Sequence, residues 1–444
     1  MNTTIVDDVY TFVRDKESNA RTYAAVIDRV FTAGDAARLT DTEGRQYLDC
    51  LSAAGTLALG HNHAAVAARV REFLDSGQVQ QALDLTTPAK YEFLRSLYGV
   101  LPPDFAAHAK THFCGPTGAD AVEAAVKLFK TATGRRTVLA FHGAYHGMTS
   151  GALSLTGNLA AKHRVASLMP DVHFLPYPYS YRCAFGIGGD EGARVGLRYI
   201  ERVLTDPESG ISTPAAIIVE PVQGEGGVVP APPEWLRGLR EITSALDIPL
   251  VCDEIQTGLG RTGTMFAFEA AGIEPDAVLL SKAVGGGYPL AVLVYHSRYD
   301  TWTPGAHAGT FRGNQVAMVA GAATMDVITA EGLADQAEAK GRLIEEALTS
   351  LAGEHPEIGD IRGRGLMWGM EIVDPDGPAD ALGSRPADGN RARAIKRRCL
   401  DHGLLIESGG RHSAVLRLLP PLVITPAEIT EMATKVEKAL VDRG

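Results

Sequence analysis

Short apolar runs, each ending on a charged residue or a glycine-rich turn, recur through the middle of the chain. Pro249–Cys252 ends on Asp253, and Ala277–Leu280 ends on Ser281-Lys282 followed by three glycines at 285–287. Runs this short and β-branched, separated by a helix-length segment, predict neighbouring parallel strands of a sheet covered on both faces. Residues 111–114, 137–141, 215–219 and 290–295 have the same texture. A period near 3.6 marks the helices instead. Ala121, Ala124, Ala125 and Leu128 share one face, and helical patterns cover 64–77, the stretch from about Asn314 through Leu351, 392–402 and 425–442. The first 50 residues read as a polar lead-in, then strand-like pieces around a turn at Asp41–Gly44, a small antiparallel element. Residues 362–377 form another strand pattern, and the Gly/Pro/Ala-rich segment 375–390 reads as a mobile surface loop. The fold class is therefore α/β, with an arm (1–60), a large domain (61–320) and an α+β C-terminal domain (321–444).

Composition narrows the function classes. A chain of 444 residues that is 45% hydrophobic can bury a large core. Its net charge of -11 argues against nucleic acid and anionic membrane as partners, since both would repel it. Five cysteines without paired or metal-ligand spacing point to neither a disulfide framework nor a metal site, and suit a reducing cytoplasm. The N-terminus has no basic-then-apolar leader pattern, and no apolar stretch approaches membrane-spanning length.

Ligands of such sheets bind at the carboxyl ends of the strands, where Asp253 and Lys282 are delivered. A carboxylate and an amine there suit pyridoxal 5'-phosphate: Lys282 as its Schiff-base lysine, Asp253 holding the ring nitrogen protonated. Taken singly, Asp253 reads better as an ordinary helix cap and Lys282 as a solvated loop lysine; the further signals reverse that order. Other signals join them. Thr117, Gly118 and Ala119 lie where a strand turns into a helix, so their N–H groups are predicted to face a dianionic phosphate. Tyr145 and His146 follow a buried strand, and an aromatic there can lie against a flat ring. Glu220 ends the 215–219 strand, with Gln223 and Glu225 in the glycine-rich loop beyond. Thr310 sits in a loop rich in accessible donors, and is alternatively a helix cap.

Together the stretches GPTGADAVEAAVKL, FHGAYHGM, IIVEPVQGEGGV, LVCDEIQTGLGRTG, LLSKAVGGGYPL and GTFRGNQ resemble the class III, ornithine-aminotransferase-like branch of the fold-type I pyridoxal-phosphate enzymes. The resemblance spans about residues 40–430. It implies a large domain with a mostly parallel seven-stranded sheet and a smaller α+β domain drawn from both chain ends. It also implies Lys282 as covalent attachment point and proton carrier, Asp253 on the pyridine nitrogen, Gln256 at the ring hydroxyl and Tyr145 stacked on the ring. Gly118 and Ala119 would hold the phosphate with Thr310 of the partner subunit, which makes a homodimer necessary. Glu225 and Arg417 look like the pair that masks or exposes an arginine as amine and 2-oxo acid alternate; a surface or structural ion pair is the lesser alternative for Arg417. KESNARTY, AGTLALGHNH and ESGGRHSAVLRLLPPL narrow the similarity to diaminobutyrate:2-oxoglutarate aminotransferases. Where those relatives carry a basic, aromatic-Pro segment, this chain reads AAVIDRVF (24–31). Another amine donor, a decarboxylase, racemase or cyclising activity, or a non-catalytic cofactor-binding protein remain the alternatives.

Overall fold

A computed structural model describes residues 3–442. The polar lead-in forms a helix, Thr3–Lys16. After it come three antiparallel strands, β1 (Phe31–Asp35), β2 (Arg38–Asp41) and β3 (Gln46–Asp49). The predicted turn joins the last two: Asp41 Oδ1 accepts the N–H groups of Glu43 and Arg45 at 2.9 and 3.0 Å, the local bond that makes Asp a turn former.

The large sheet is built from β4 (Ala109–Phe113), β5 (Val138–Phe141), β6 (Val172–Leu175) and β7 (Ala216–Val219). A hairpin of β8 (Val222–Gln223) and β9 (Val229–Pro230) follows. The sheet then continues with β10 (Leu250–Asp253), β11 (Ala277–Leu280) and β12 (Val292–His296). Its order is β4-β12-β11-β10-β7-β5-β6. Only β12 runs against the rest. Every residue of β5, β7, β10 and β11 is buried, which explains runs without polar alternation. The helix Gly118–Thr133 lays its Ala121, Ala124, Ala125 and Leu128 face on the sheet. On the opposite side the helix Pro233–Ala245 buries Trp235, Leu236 and Leu239.

This topology collects chemistry at one edge. Asp253 is the last residue of β10, Lys282 follows β11 by two, Glu220 follows β7, and the His142–His146 loop follows β5.

The C-terminal part begins with the helix Gln315–Ala330, capped by Asn314, whose Oδ1 accepts the Ala317 N–H at 3.1 Å. Helix Leu333–Glu354 and a second four-stranded sheet follow: β13 (Ile358–Arg364), β14 (Met367–Ile372), β16 (Glu407–Gly409) and β17 (Val415–Leu418), in the order β13-β14-β17-β16. Between them β15 (Leu404–Leu405) leaves to pair in parallel with β3, so both chain ends share one sheet. The segment 375–390, expected to be mobile, is tethered. Arg182 donates to the Arg385 carbonyl and Arg385 to that of Gly377, both at 2.9 Å, and the Ser384 hydroxyl donates to the Tyr181 carbonyl. Sequence texture marked its lack of regular structure but not these partners. Among the described residues no single helix is long and apolar enough to cross a membrane; a pair bent by 68° passes by length and composition alone.

Candidate active site

The strand ends open onto a cavity of about 490 Å³, within the range that takes a small cofactor and its substrate. Of the residues singled out in the sequence, Thr117, Gly118, Ala119, Tyr145, His146, Glu220, Glu225, Asp253, Gln256 and Lys282 all line it. Arg417 stands behind Glu225. Thr310 is exposed and outside these walls.

Lys282 opens a short helical turn with φ at 50°, a left-handed conformation that costs a side-chain-bearing residue roughly 1–2 kcal/mol. Its amine has no hydrogen-bond partner among the described residues, and burial pushes its pKa below the usual lysine range, with Glu225 opposing. Asp253 is fixed from two sides. Oδ1 accepts the Ile255 N–H at 3.1 Å, and Oδ2 lies 2.7 Å from His146 Nδ1. Burial works against a charged His146, but the bond to Asp253 and its charge outweigh that and hold the imidazole pKa above the ordinary value.

Glu220 ties two loops together. Its carboxylate accepts the Tyr145 N–H at 2.9 Å and the Gly224 N–H at 3.0 Å, so the aromatic loop and the loop carrying Glu225 hang on one side chain. Burial pushes its pKa up to about 7. Glu225 Oε1 meets Arg417 Nη2 at 2.7 Å. Burial of Glu225 is outweighed by this guanidinium, which lowers the carboxyl pKa. Among the described residues Arg417 Nε and Nη1 have no hydrogen-bond partner.

One expectation needs correction. Three N–H groups were predicted free at the helix start, yet the Thr117 N–H and hydroxyl both donate to Asp120 Oδ2, at 2.9 and 2.8 Å. This local cap spends one donor. Gly118 and Ala119 remain, since the first turn of a helix has no internal acceptors for them. Gln256 lines the cavity, but its amide N–H donates to the Ala54 carbonyl at 3.0 Å, so one side of that amide is already committed.

Glu407 escaped the sequence reading, and Tyr23 entered it only as the end of KESNARTY. Glu407 pairs across strands with Arg417, and Tyr23 lies within reach of its charge. A pairing between β16 and β17 was the missing signal, and short strands broken by glycines gave no alternation to reveal it.

An amine without a partner, a carboxylate held in place, two open N–H groups, the Tyr145 ring and apolar Val222 and Ile255 form a donor set that fits a planar aldehyde phosphate with a basic ring nitrogen.

Residues 19–440 match the class-III aminotransferase family. A diaminobutyrate–2-oxoglutarate aminotransferase of Rhizobium meliloti (strain 1021) is 53% identical over 97% of this chain and 91% of its own. One from Haemophilus influenzae (strain KW20) is 48% identical over 96% and 93%. Among solved structures, an amine transaminase from an uncultivated Pseudomonas species in its PLP-bound form superposes with a TM-score of 0.86 at 28% identity, covering 97% of this chain and 98% of that one. The ornithine aminotransferase of Toxoplasma gondii ME49 gives 0.82 at 25%, covering 99% and 96%.

Proposed function

The chain belongs to the class-III aminotransferases, and from that premise we propose that it moves the terminal amino group of L-2,4-diaminobutyrate to 2-oxoglutarate, giving L-aspartate 4-semialdehyde and L-glutamate. The single observation that carries this reading is that the Lys282 amine shares one cavity with Glu225, the carboxylate that covers Arg417 behind it.

Pyridoxal 5'-phosphate, when bound, supplies an aldehyde for amine exchange and a ring that draws electrons from the neighbouring carbon. Lys282 would hold the aldehyde and, once the donor amine has displaced it, carry the proton to and from the reacting carbon. Its depressed basicity suits both tasks. Asp253 would keep the ring nitrogen protonated, with His146 fixing the carboxylate from behind. Gly118 and Ala119 would present their N–H groups to the phosphate, and Tyr145 its ring to the flat face. Gln256 would reach the ring hydroxyl through the carbonyl side of its amide.

Glu225 and Arg417 sort the two substrates. With the pair closed, a donor bearing a cationic amine meets a neutralised wall. With Glu225 turned aside, Arg417 gains a free edge of N–H groups, matched to the carboxylate of 2-oxoglutarate. The phosphate end is completed, in this reading, by Thr310 of the partner subunit in a homodimer. Residues 1–60 act as an arm, 61–320 as the cofactor domain and 321–444 as the small domain, a division supported by the sheet shared between both chain ends. Five unpaired cysteines fit a cytoplasmic location.

Cofactor-loaded protein given both substrates should form glutamate and aldehyde in equal amounts. Carbon dioxide or racemised donor without glutamate would replace transamination by another reaction on the same site.

A further inference from the structure

The wall behind Glu225 holds one carboxylate that the reaction so far leaves idle. β16 and β17 are antiparallel with Glu407 opposite Arg417, so both side chains leave the sheet on one face. Glu407 is 6% exposed. Its Oε1 accepts from Lys396 Nζ at 3.0 Å and from the Ser408 N–H at 2.7 Å, which pins the carboxyl group from behind. Tyr23, on the N-terminal arm, lies close enough to feel the charges of Glu407, Glu225 and Arg417, and burial with the two acids raises its hydroxyl pKa.

Glu225 lines the cavity, and directly behind it the charges alternate. Arg417 has two nitrogens without a hydrogen-bond partner among the described residues, Glu225 covers it from the cavity side, and Glu407 stands at its flank. A donor ending in a bare carboxylate would face two acids there. A donor ending in a zwitterion brings a cation for the flanking acid, so its carboxylate does not face the acids uncompensated.

We propose that Glu407, oriented by Lys396 and with Tyr23 near it, receives the α-ammonium group of a diamino-acid donor and so selects it over amines that end in a carboxylate alone. This rests on the aminotransferase reading and names a residue that sets its specificity. Tyr23, 40% exposed, brings the N-terminal arm to this cluster, so the arm takes part in recognition through that residue.

The test compares Glu407→Gln and Tyr23→Phe with the unaltered holoenzyme. The ratio of kcat/KM for L-2,4-diaminobutyrate to that for 4-aminobutyrate should fall roughly 10- to 100-fold in Glu407→Gln, the worth of one charge-assisted hydrogen bond. Tyr23→Phe leaves the buried Lys396 pairing intact and should lower the same ratio severalfold. Equilibrium binding gives a readout without turnover: L-homoserine, which keeps the α-ammonium, should lose affinity relative to 4-hydroxybutyrate, which lacks it. Equal losses for both members of each pair would overturn the role of Glu407 and leave the donor assignment standing. An unaltered enzyme that ignores L-2,4-diaminobutyrate while using other amines would overturn the donor assignment, and this role with it.

Discussion

Arg417 Nη2 and Glu225 Oε1 meet at 2.7 Å, with the arginine side chain 1% exposed and the glutamate 34% exposed. The arginine has nowhere else to go, whereas the carboxylate reaches both the cavity and its partner. The mobile half of the pair is therefore Glu225, and the fixed half waits for a carboxylate.

Glu225→Gln keeps a hydrogen bond to Arg417 but removes the charge. The KM for 2-oxoglutarate should drop, and kcat/KM for the amine donor should fall by roughly tenfold, about 1.4 kcal/mol. Arg417→Met should do the reverse, weakening the oxo-acid half-reaction by about two orders of magnitude, as expected when a charged partner for a buried carboxylate is lost. Separate single-turnover measurements of the two half-reactions check both signs.

Replacing Lys282 by alanine or by glycine should abolish turnover alike. Their stabilities should differ, because φ at this position is 50°. Glycine adopts that conformation freely, so Lys282→Gly should unfold at higher temperature than Lys282→Ala, by about 1 kcal/mol at the midpoint. Equal midpoints for the cofactor-free variants would mean that the backbone turn carries no strain.

Stability should also register the His146–Asp253 contact. A histidine whose folded pKa lies above its value of 6.5 contributes stability that is complete below that pH and is lost as pH rises through the folded value. The gap in melting temperature between the unaltered protein and His146→Gln should therefore narrow steadily from pH 6 to pH 9. A gap independent of pH would mean that the imidazole stays neutral.

Close packing between the two loops gives a fourth prediction. A Cβ at Gly226 would lie 2.5 Å from the Gly143 carbonyl oxygen, backbone against backbone. Gly226→Ala should cost about 1–3 kcal/mol and loosen cofactor binding by shifting the loop that carries Tyr145. Gly99→Ala, in the helix Pro88–Val100 with nothing within 4 Å, should instead raise stability by up to about 1 kcal/mol. Urea unfolding of the pair measures both.

The sheet was legible because its central strands are buried on both faces, and Asp253, Lys282 and Glu220 could be placed since each directly follows such a run. What stayed hidden depends on contacts between distant segments. The capture of the Thr117 N–H by Asp120 competes with the very donor role its position suggested. Gln256 looked poised for a ligand, while its amide is held by Ala54, some two hundred positions away in the chain. The helix Thr3–Lys16 was legible after all, since Ile5, Val6, Val9, Phe12 and Val13 recur at helical spacing in a stretch read only as a polar lead-in, whereas Glu407 gains meaning only once β16 lies beside β17.

The parallel pairing of Leu48 with Leu404 has a consequence for biosynthesis. As the chain emerges from the ribosome, β3 is finished early but its neighbour is among the last strands made, so the first sheet waits with an open edge for nearly the whole of translation. Late synthesis, rather than early collapse, sets the moment at which the N-terminal segment finds its final place, and a nascent chain stalled before residue 404 should remain sensitive to proteases near residues 46–51.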